Sequence, residues 1–474
     1  MNKLIFLEER DVYQYPENSP LFHPSVKYPE YPFGDACISS TDNEVYDMIR
    51  ESFLGLDLDK EHFGTSEWNP LGDIIHPGDT VVIKPNMVKH CGTIPEYECT
   101  LTHPSVVRAA IDYCVIAQAG NIIVGDAPIQ GADMNKIVHD LYYDKLICFY
   151  HKKGIHIQLI DFRNLIVTSV HGIIKPIVTE GNQGYTIVKL GKESKHYNQE
   201  CSARYGISGY TEEKINQNHT GETHNYAISN YILQANVIIN LPKPKTHRFA
   251  GITGAQKNFV GACADKEFLP HFKAGSPCAG GDETNQNNVL SKFIGNTYRK
   301  YMCACKTKRY GIAKCWYLFY RLCKMMKAPD LYTDGAWFGN DTIWRTIIDI
   351  NEIILYAKQD GQLDFRNRQR EILTIGDMII GGEREGPLQP SPKPLGIILT
   401  AKNSVMFDEV FCKLTGFRET RIPIIEQSRA NRRLRPENQI LYSNKRDFNE
   451  VSIQNIEVPE RYHFEAHPFW KEVL

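Results

Sequence analysis

The sequence predicts an α/β protein: a mainly parallel sheet with helices on both faces, joined by a basic helical insertion and an irregular N-terminal arm. Three observations predict it. Short β-branched runs recur, "TVVI" from Thr80, "NIIV" from Asn121 and "NVIINL" from Asn236, each flanked by turn residues. A helical pattern from Pro104 to Gly120 lies between the first two, and strand, helix, strand within about 45 residues implies parallel pairing with a right-handed crossover. Each run is also apolar until its end and then turns polar.

Taken in order, residues 1–60 hold a Pro- and aromatic-rich arm ("YQYPENSPLFHPSVKYPEYPF") and then a helix over "STDNEVYDMIRESFLGL". A first α/β lobe is expected over 61–290. Its Pro-Gly-Asp turn enters a strand at Thr80–Ile83 that breaks at Pro85. Pro104 suits the first helical position and Gly120 the helix end. Asn121–Val124 then delivers Gly125 and Asp126. Within 172–190, "HGIIKPIVTEGNQGYTIVKL" predicts a β-hairpin turning across Glu180–Gly184. Asn236–Leu241 is the next buried strand. Residues 291–335 form a basic, aromatic insertion of one or two helices. A second α/β portion over 336–420, with one more strand-helix alternation across "EILTIGDMIIGGEREGP" and "LGIILTAKNSVMFDEVFCKLTGF", completes a cleft, and the tail, 421–474, shows no strong periodicity.

Composition excludes several classes. At 474 residues with net charge -2, the chain is neither a generally basic nucleic-acid binder nor an acidic disordered one. No apolar run reaches a membrane span, and the apolar stretch in "MNKLIFLEERD" is too short for a signal peptide, so a cytoplasmic protein is expected. The 13 cysteines include no CxxC pair and no ferredoxin-type run; most are expected to be buried and reduced, with no iron–sulfur motif.

Chemistry is expected at the strand ends, because ligands of open parallel sheets bind outside the carboxyl ends of the strands. Lys84 and Asn86 follow the first run and Asp126 the second. Lys243, Lys245, Thr246 and His247 follow the third, with Lys257 and Asn258 just beyond; Asp377 and Glu383 follow a fourth. So many ammonium groups repel one another unless an anion or internal carboxylates sit among them. An anionic substrate would be held by Lys84, Asn86, His103, Lys243, Thr246, Lys257 and Asn258. His247, Lys245 and Asp126 are the catalytic candidates, His247 as the proton carrier. His103 stands before Pro104, where it would either cap a helix or help bind an anion. Asp341, Arg345 and Asp349 are four apart and share a helix face, either as a structural ladder or as substrate contacts. Asp126, Asp377 and Glu383 are the candidates for a divalent metal, though no tight ligand spacing marks one.

Between Thr284 and Pro329 there is no acidic residue, while Lys and Arg recur among Trp316, Tyr317, Phe319 and Tyr320. Residues 291–327 therefore suit either a solvated helix pair or contact with a polyanion or the inner face of a membrane. No nucleic-acid motif accompanies them.

"VVIKPNMV", "THPSVVRAAIDYCVIAQAGNIIVGDAP", "NLPKPKTHRFAGITGAQKNFVG", "WFGNDTIWRTIIDINEIILYA", "IGDMIIGGEREGPL" and "GIILTAKNSVMFDEVFCKLTG" together resemble the bacterial and archaeal domain of unknown function 362 family, over roughly Thr80 to Gly416. The resemblance implies that Lys84, Asn86, His103, Asp126, Lys243, Lys245, His247, Lys257, Asn258, Asp341, Arg345, Asp349, Asp377, Glu383 and Asp408 occupy motif positions; it implies no activity. "THPSVVRAAI" and "KTHRFAGITGAQKN" are similar in kind to the N-terminal part of nickel-pincer lactate racemases. The expectation is an enzyme of unassigned chemistry acting on a phosphorylated or carboxylated small molecule in a Lys/His/Asp-lined cleft. The alternatives are a non-catalytic binding or assembly protein using the basic helices, and a metal- or cofactor-dependent redox or racemase-like protein.

Overall fold

Backbone pairing gathers strands from nearly the whole chain into one 11-stranded sheet. The computed structural model describes residues 3–18, 21–170, 173–178, 184–199, 204–436 and 439–471, with the backbone alone for 167–170 and 173–178. The strands run in the spatial order Val451–Ser452, Ile440–Ser443, Ile5–Glu9, Gln389–Ala401, Glu371–Glu385, Val237–Leu241, Thr80–Pro85, Asn121–Asp126, Ile157–Asp161. From Glu371–Glu385 to Ile157–Asp161 every neighbouring pair is parallel. Ile5–Glu9 and Gln389–Ala401 pair antiparallel at the other side. The helix Pro104–Ile116 makes the crossover between Thr80–Pro85 and Asn121–Asp126.

Side chains alternate across a strand, so a strand covered on both faces must be apolar at consecutive positions. Val81, Ile83, Val237 and Ile239 pack on one face with Ile49 and Val106, from the helices Glu44–Gly55 and Pro104–Ile116. Val82 and Ile238 pack on the other with Ile347 and Phe407, from Ile343–Tyr356 and Ser404–Thr415. Full burial of each such side chain stabilises by about 1.5–3 kcal/mol. This is the α/β sandwich the consecutive apolar runs predict.

Four local expectations need amendment. Residues 10–34 carry no helix or strand where described, but Ile5–Glu9 is a buried strand inside the sheet. The expected hairpin does not form across Glu180–Gly184: Ile173–Val178 pairs backwards with Leu165–Val170, and Tyr185–Lys189 pairs with Thr223–Ser229. Residues 179–183 of that turn lie outside the described residues. The Glu371–Glu385 strand is followed by a second strand, Gln389–Ala401, rather than directly by a helix. The tail adds the helix Pro423–Ala430 and two edge strands, whose periodicity is short because each spans only a few residues.

The basic insertion is two helices, Val289–Lys306 and Tyr310–Met325, packed against each other. Asn288 and Ser291 form a reciprocal capping box at its start. Among the described residues no helix is long and apolar enough to cross a membrane.

Candidate functional site

At the carboxyl ends of the central parallel strands lies a cavity of about 360 Å³. Asn86, Asp126, Lys245, His247, Lys257 and Lys266 supply much of its polar lining. They converge because the parallel register sets Ile83 beside Val124, so Pro85–Asn86 and Asp126 leave the sheet at one level. Lys245 comes from the short strand Lys245–His247, which pairs with Gly251–Thr253 and, through Lys245, with Gly382.

Asp126 is the only carboxylate among the described residues that line it. Its Oδ1 accepts from Lys84 Nζ at 2.7 Å and from the Ala127 N–H at 2.9 Å, and its Oδ2 from the Met87 N–H at 2.8 Å. Lys84 is fully buried behind it, and burial pulls that ammonium below its usual range against the opposing pull of Asp126.

A chain of amides carries the next lysine. Lys245 Nζ donates to Asn86 Oδ1 at 2.8 Å and to the Thr100 carbonyl. Asn86 Nδ2 donates to Asn258 Oδ1 at 2.9 Å, and Asn258 Nδ2 to Asn240 Oδ1 at 2.8 Å. Among the described residues no carboxylate pairs with Lys245. Burial and then the charge of Lys243 push its pKa down to about 7. Asp408 acts at a distance: it accepts from the Ala255 and Gln256 N–H groups at 2.6 and 3.2 Å, pinning the turn that carries Lys257 and Asn258.

The Lys257 ammonium forms no hydrogen bond or ion pair with any described residue, and burial with repulsion from Lys266 and Lys84 lowers it to about 7. Lys266 donates to the Val260 carbonyl at 2.9 Å and is lowered by burial to about 8. His247 differs from the expected proton carrier. Its Nδ1 accepts the Phe249 and Ala250 N–H groups at 3.1 and 3.2 Å, and burial beside Lys257 holds the ring neutral. The ring proton therefore sits on Nε2, so His247 presents a donor rather than a base.

The other predicted residues lie elsewhere. Lys243 turns away from the cavity to Asp377 Oδ2 at 3.1 Å, in a buried cluster with Tyr15. Tyr15 donates to Asp377 Oδ1 at 2.5 Å and stacks on His103 with centroids 3.9 Å apart. His103 Nδ1 accepts the Ser105 N–H at 3.2 Å and so caps the crossover helix. Burial, then Lys243, keeps that ring neutral. Thr246 donates to the Arg384 carbonyl at 2.8 Å, tying its strand to the Glu371–Glu385 strand. Asp341 and Arg345 pair at 3.0 Å, but Asp349 faces Ser194, the Lys195 N–H and Tyr226 instead, so the three form no continuous ladder and none lines the cavity. Asp126 and Asp377 each hold a lysine, while Glu383 accepts the Glu465 N–H at 2.8 Å at the surface. These three do not meet, and no group of three or more metal-ligating side chains is assembled among the described residues.

Sequence reasoning passed over Lys266, His271, Tyr15 and Gly261. Lys266 and His271 lie just past the quoted lysine cluster and are visible only as further polar residues in an apolar loop. Gly261 carries a sharper constraint: a Cβ there would stand 1.9 Å from Asp126 Oδ1 and 2.7 Å from Lys84 Nζ. Gly261→Ala is therefore expected to cost about 1–3 kcal/mol by forcing that pair apart. A urea melt of the variant within about 0.5 kcal/mol of wild type would mean the pair shifts freely.

No curated protein matches the sequence. Among solved structures, a Thermotoga maritima protein from a structural genomics programme is similar at 11% identity and TM-score 0.32, over 78% of this chain and 59% of that one. The lactate racemase apoprotein of Thermoanaerobacterium thermosaccharolyticum is similar at 10% identity and TM-score 0.26, over 76% of this chain and 54% of that one. The chain thus spans little more than half the length of either, and likenesses this distant carry no functional argument. A family profile, by contrast, matches residues 81–164 and 164–413, which hold the central sheet from Val81 to Ala401 and every residue of the Lys84–Asp126 and Lys245–Asn86–Asn258 sets. With most of its length matched, the chain belongs to the family described as a domain of unknown function, DUF362.

Proposed function

We propose that the protein is an enzyme that binds a phosphate- or carboxylate-bearing small molecule in the strand-end cavity and moves a proton on it. One observation carries this reading: Lys245, Lys257 and Lys266 line the cavity with a single carboxylate, Asp126, already held by Lys84 and two backbone N–H groups. Burying amines without counter-charge is costly, and the amines respond by losing protons near neutral pH. A bound anion supplies the missing charge. Three point-charge lysines line the cavity against one arginine among the described residues, Arg248, a balance that favours neutralisation over bidentate clamping.

The proton chemistry follows from the same deficit. A neutral Lys245 amine can donate its two N–H bonds to Asn86 and Thr100 and keep a lone pair, and the Lys257 amine has no partner among the described residues. An amine with a pKa near working pH is an effective proton acceptor, and His247 Nε2–H beside it is a neutral donor to an anionic oxygen.

The test is calorimetric. Phosphosugars, nucleotides and carboxylates are first screened by thermal shift, where saturation at 100 times the dissociation constant adds about 2.7 kcal/mol. The best ligand is then titrated near pH 8 in buffers of different ionisation enthalpy. Because the free lysines are largely neutral there and an anion restores their protons, binding is expected to take up about one proton. Binding without proton uptake, or no stabilising anion, would overturn the reading. Exchange of a ligand C–H in deuterium oxide, lost in Lys257→Met, would distinguish catalysis from binding alone.

A further inference from the structure

Of the thirteen large apolar side chains exposed among the described residues, eight fall within residues 289–326. They are not scattered. On the helix Tyr310–Met325 and its next residue, Ile312, Phe319, Leu322 and Met326 recur at intervals of three, four or seven, and Leu318 and Met325 lie beside them. At 100° per residue they cover an arc of about 140°. Ile312 is 50% exposed, Leu318 56%, Leu322 51%, Met325 79% and Met326 69%. The helix has two buried residues: Ala313, opposite the arc and packed in a cluster with Tyr301, and Cys323, at the edge of the arc beside Ile312 and clustered with Ile294. The helix thus presents a second apolar face to solvent, continued on its partner helix by Phe293, which meets Phe319 edge-on at 5.4 Å.

Charge decides what covers that face. Residues 284–329 hold ten Lys and Arg and no acid. Arg299, Lys306 and Lys324 pair with Glu212 and Glu283, Glu213, and Asp334. Lys314 and Arg321 flank the apolar arc by their positions on the helix and form no ion pair with a described residue. Lys300 lies over the half-buried Trp316 ring at 4.6 Å. A second copy of this surface would set cation against cation across an isologous interface. An anionic bilayer instead offers an apolar layer for the leucines and methionines, and acidic headgroups at the depth of the lysines and of Trp316. The same two helices place Tyr301 and Tyr317 in the cavity wall, so a docked hairpin would hold the candidate site beside the membrane.

We propose that the Val289–Lys306 and Tyr310–Met325 hairpin is a peripheral docking surface for anionic membranes. The test is sedimentation of the full chain with phosphatidylcholine vesicles, with and without phosphatidylserine, at low and high salt. Partitioning is expected to need phosphatidylserine and to fall with salt. Leu318→Glu with Leu322→Glu is expected to weaken it at least about tenfold, since each change removes an apolar side chain and adds repulsion. Both positions are more than half exposed, so an unchanged thermal melt will show that the variant is folded. Equal binding to neutral vesicles, no binding to either, or an unaffected double variant would each overturn the proposal. So would a concentration-dependent dimer that the two glutamates dissolve, which would assign the face to a second copy.

Discussion

Asp126→Ala is expected to cost about 3–5 kcal/mol of folding stability, because it leaves the fully buried Lys84 charge without a counter-charge. The same change orphans the Met87 N–H, which the carboxylate accepts at 2.8 Å, and leaves the Ala127 N–H only the Gly261 carbonyl at 3.0 Å. The reciprocal change is milder. Lys84→Met removes the ammonium but leaves Asp126 both backbone donors, so a loss of about 1–3 kcal/mol is expected. Urea unfolding of the two variants should rank Asp126→Ala as the more damaging. The opposite order would place the dominant cost on an unpaired carboxylate, and a loss below about 1 kcal/mol for Asp126→Ala would mean that water reaches Lys84. The consequence for the site is direct, since the loop after Pro85 that Asp126 holds also carries Asn86, the acceptor for Lys245.

Lys245→Met is expected to raise stability while weakening ligand binding. Lys245 is fully buried, pairs with no carboxylate among the described residues, and is pushed down to about 7 from an ordinary lysine value of 10.5. Between those values the unfolded chain binds more protons than the folded one, so wild-type stability rises as pH climbs from about 7 toward 10.5. Below about 7 the destabilisation is fully present. Methionine fills much of the same space with no charge to desolvate. At pH 7 the variant should therefore gain on the order of 2 kcal/mol, and its stability should vary less over that alkaline window. Affinity for the anion found by thermal screening is expected to fall about 100-fold, the loss of one buried charged contact. Chemical denaturation at several pH values measures the first effect and titration calorimetry the second. If Lys245→Met is destabilised at pH 7, or still binds the anion as tightly, Lys245 is structural.

Much of this arrangement was legible in the residues. The runs at Thr80, Asn121 and Asn236 announced parallel strands, because only a strand covered on both faces stays apolar at successive positions. Their polar termini announced a site, because the carboxyl ends of such strands are where the covering helices leave an opening. The Pro104 crossover helix and the acid-free insertion were equally readable, the first from its periodicity and the second from a plain count of charges. Tyr15 was not, since nothing local ties a tyrosine in an irregular arm to Asp377, 362 positions away.

By itself, then, the order of residues determined the layered α/β core and which segments would bring lysines, amides and aspartates to its edge, since burial and periodicity are properties of neighbouring positions. Which of those groups meet was decided only by the folded chain. Lys243 and Lys245 stand two residues apart in sequence, yet one is neutralised by Asp377 and the other lines the cavity, held by Asn86 and the Thr100 carbonyl. The physical reason is that a side chain's charge state depends on its distance to counter-charges and on exclusion of water, and both are set by segments remote in the chain.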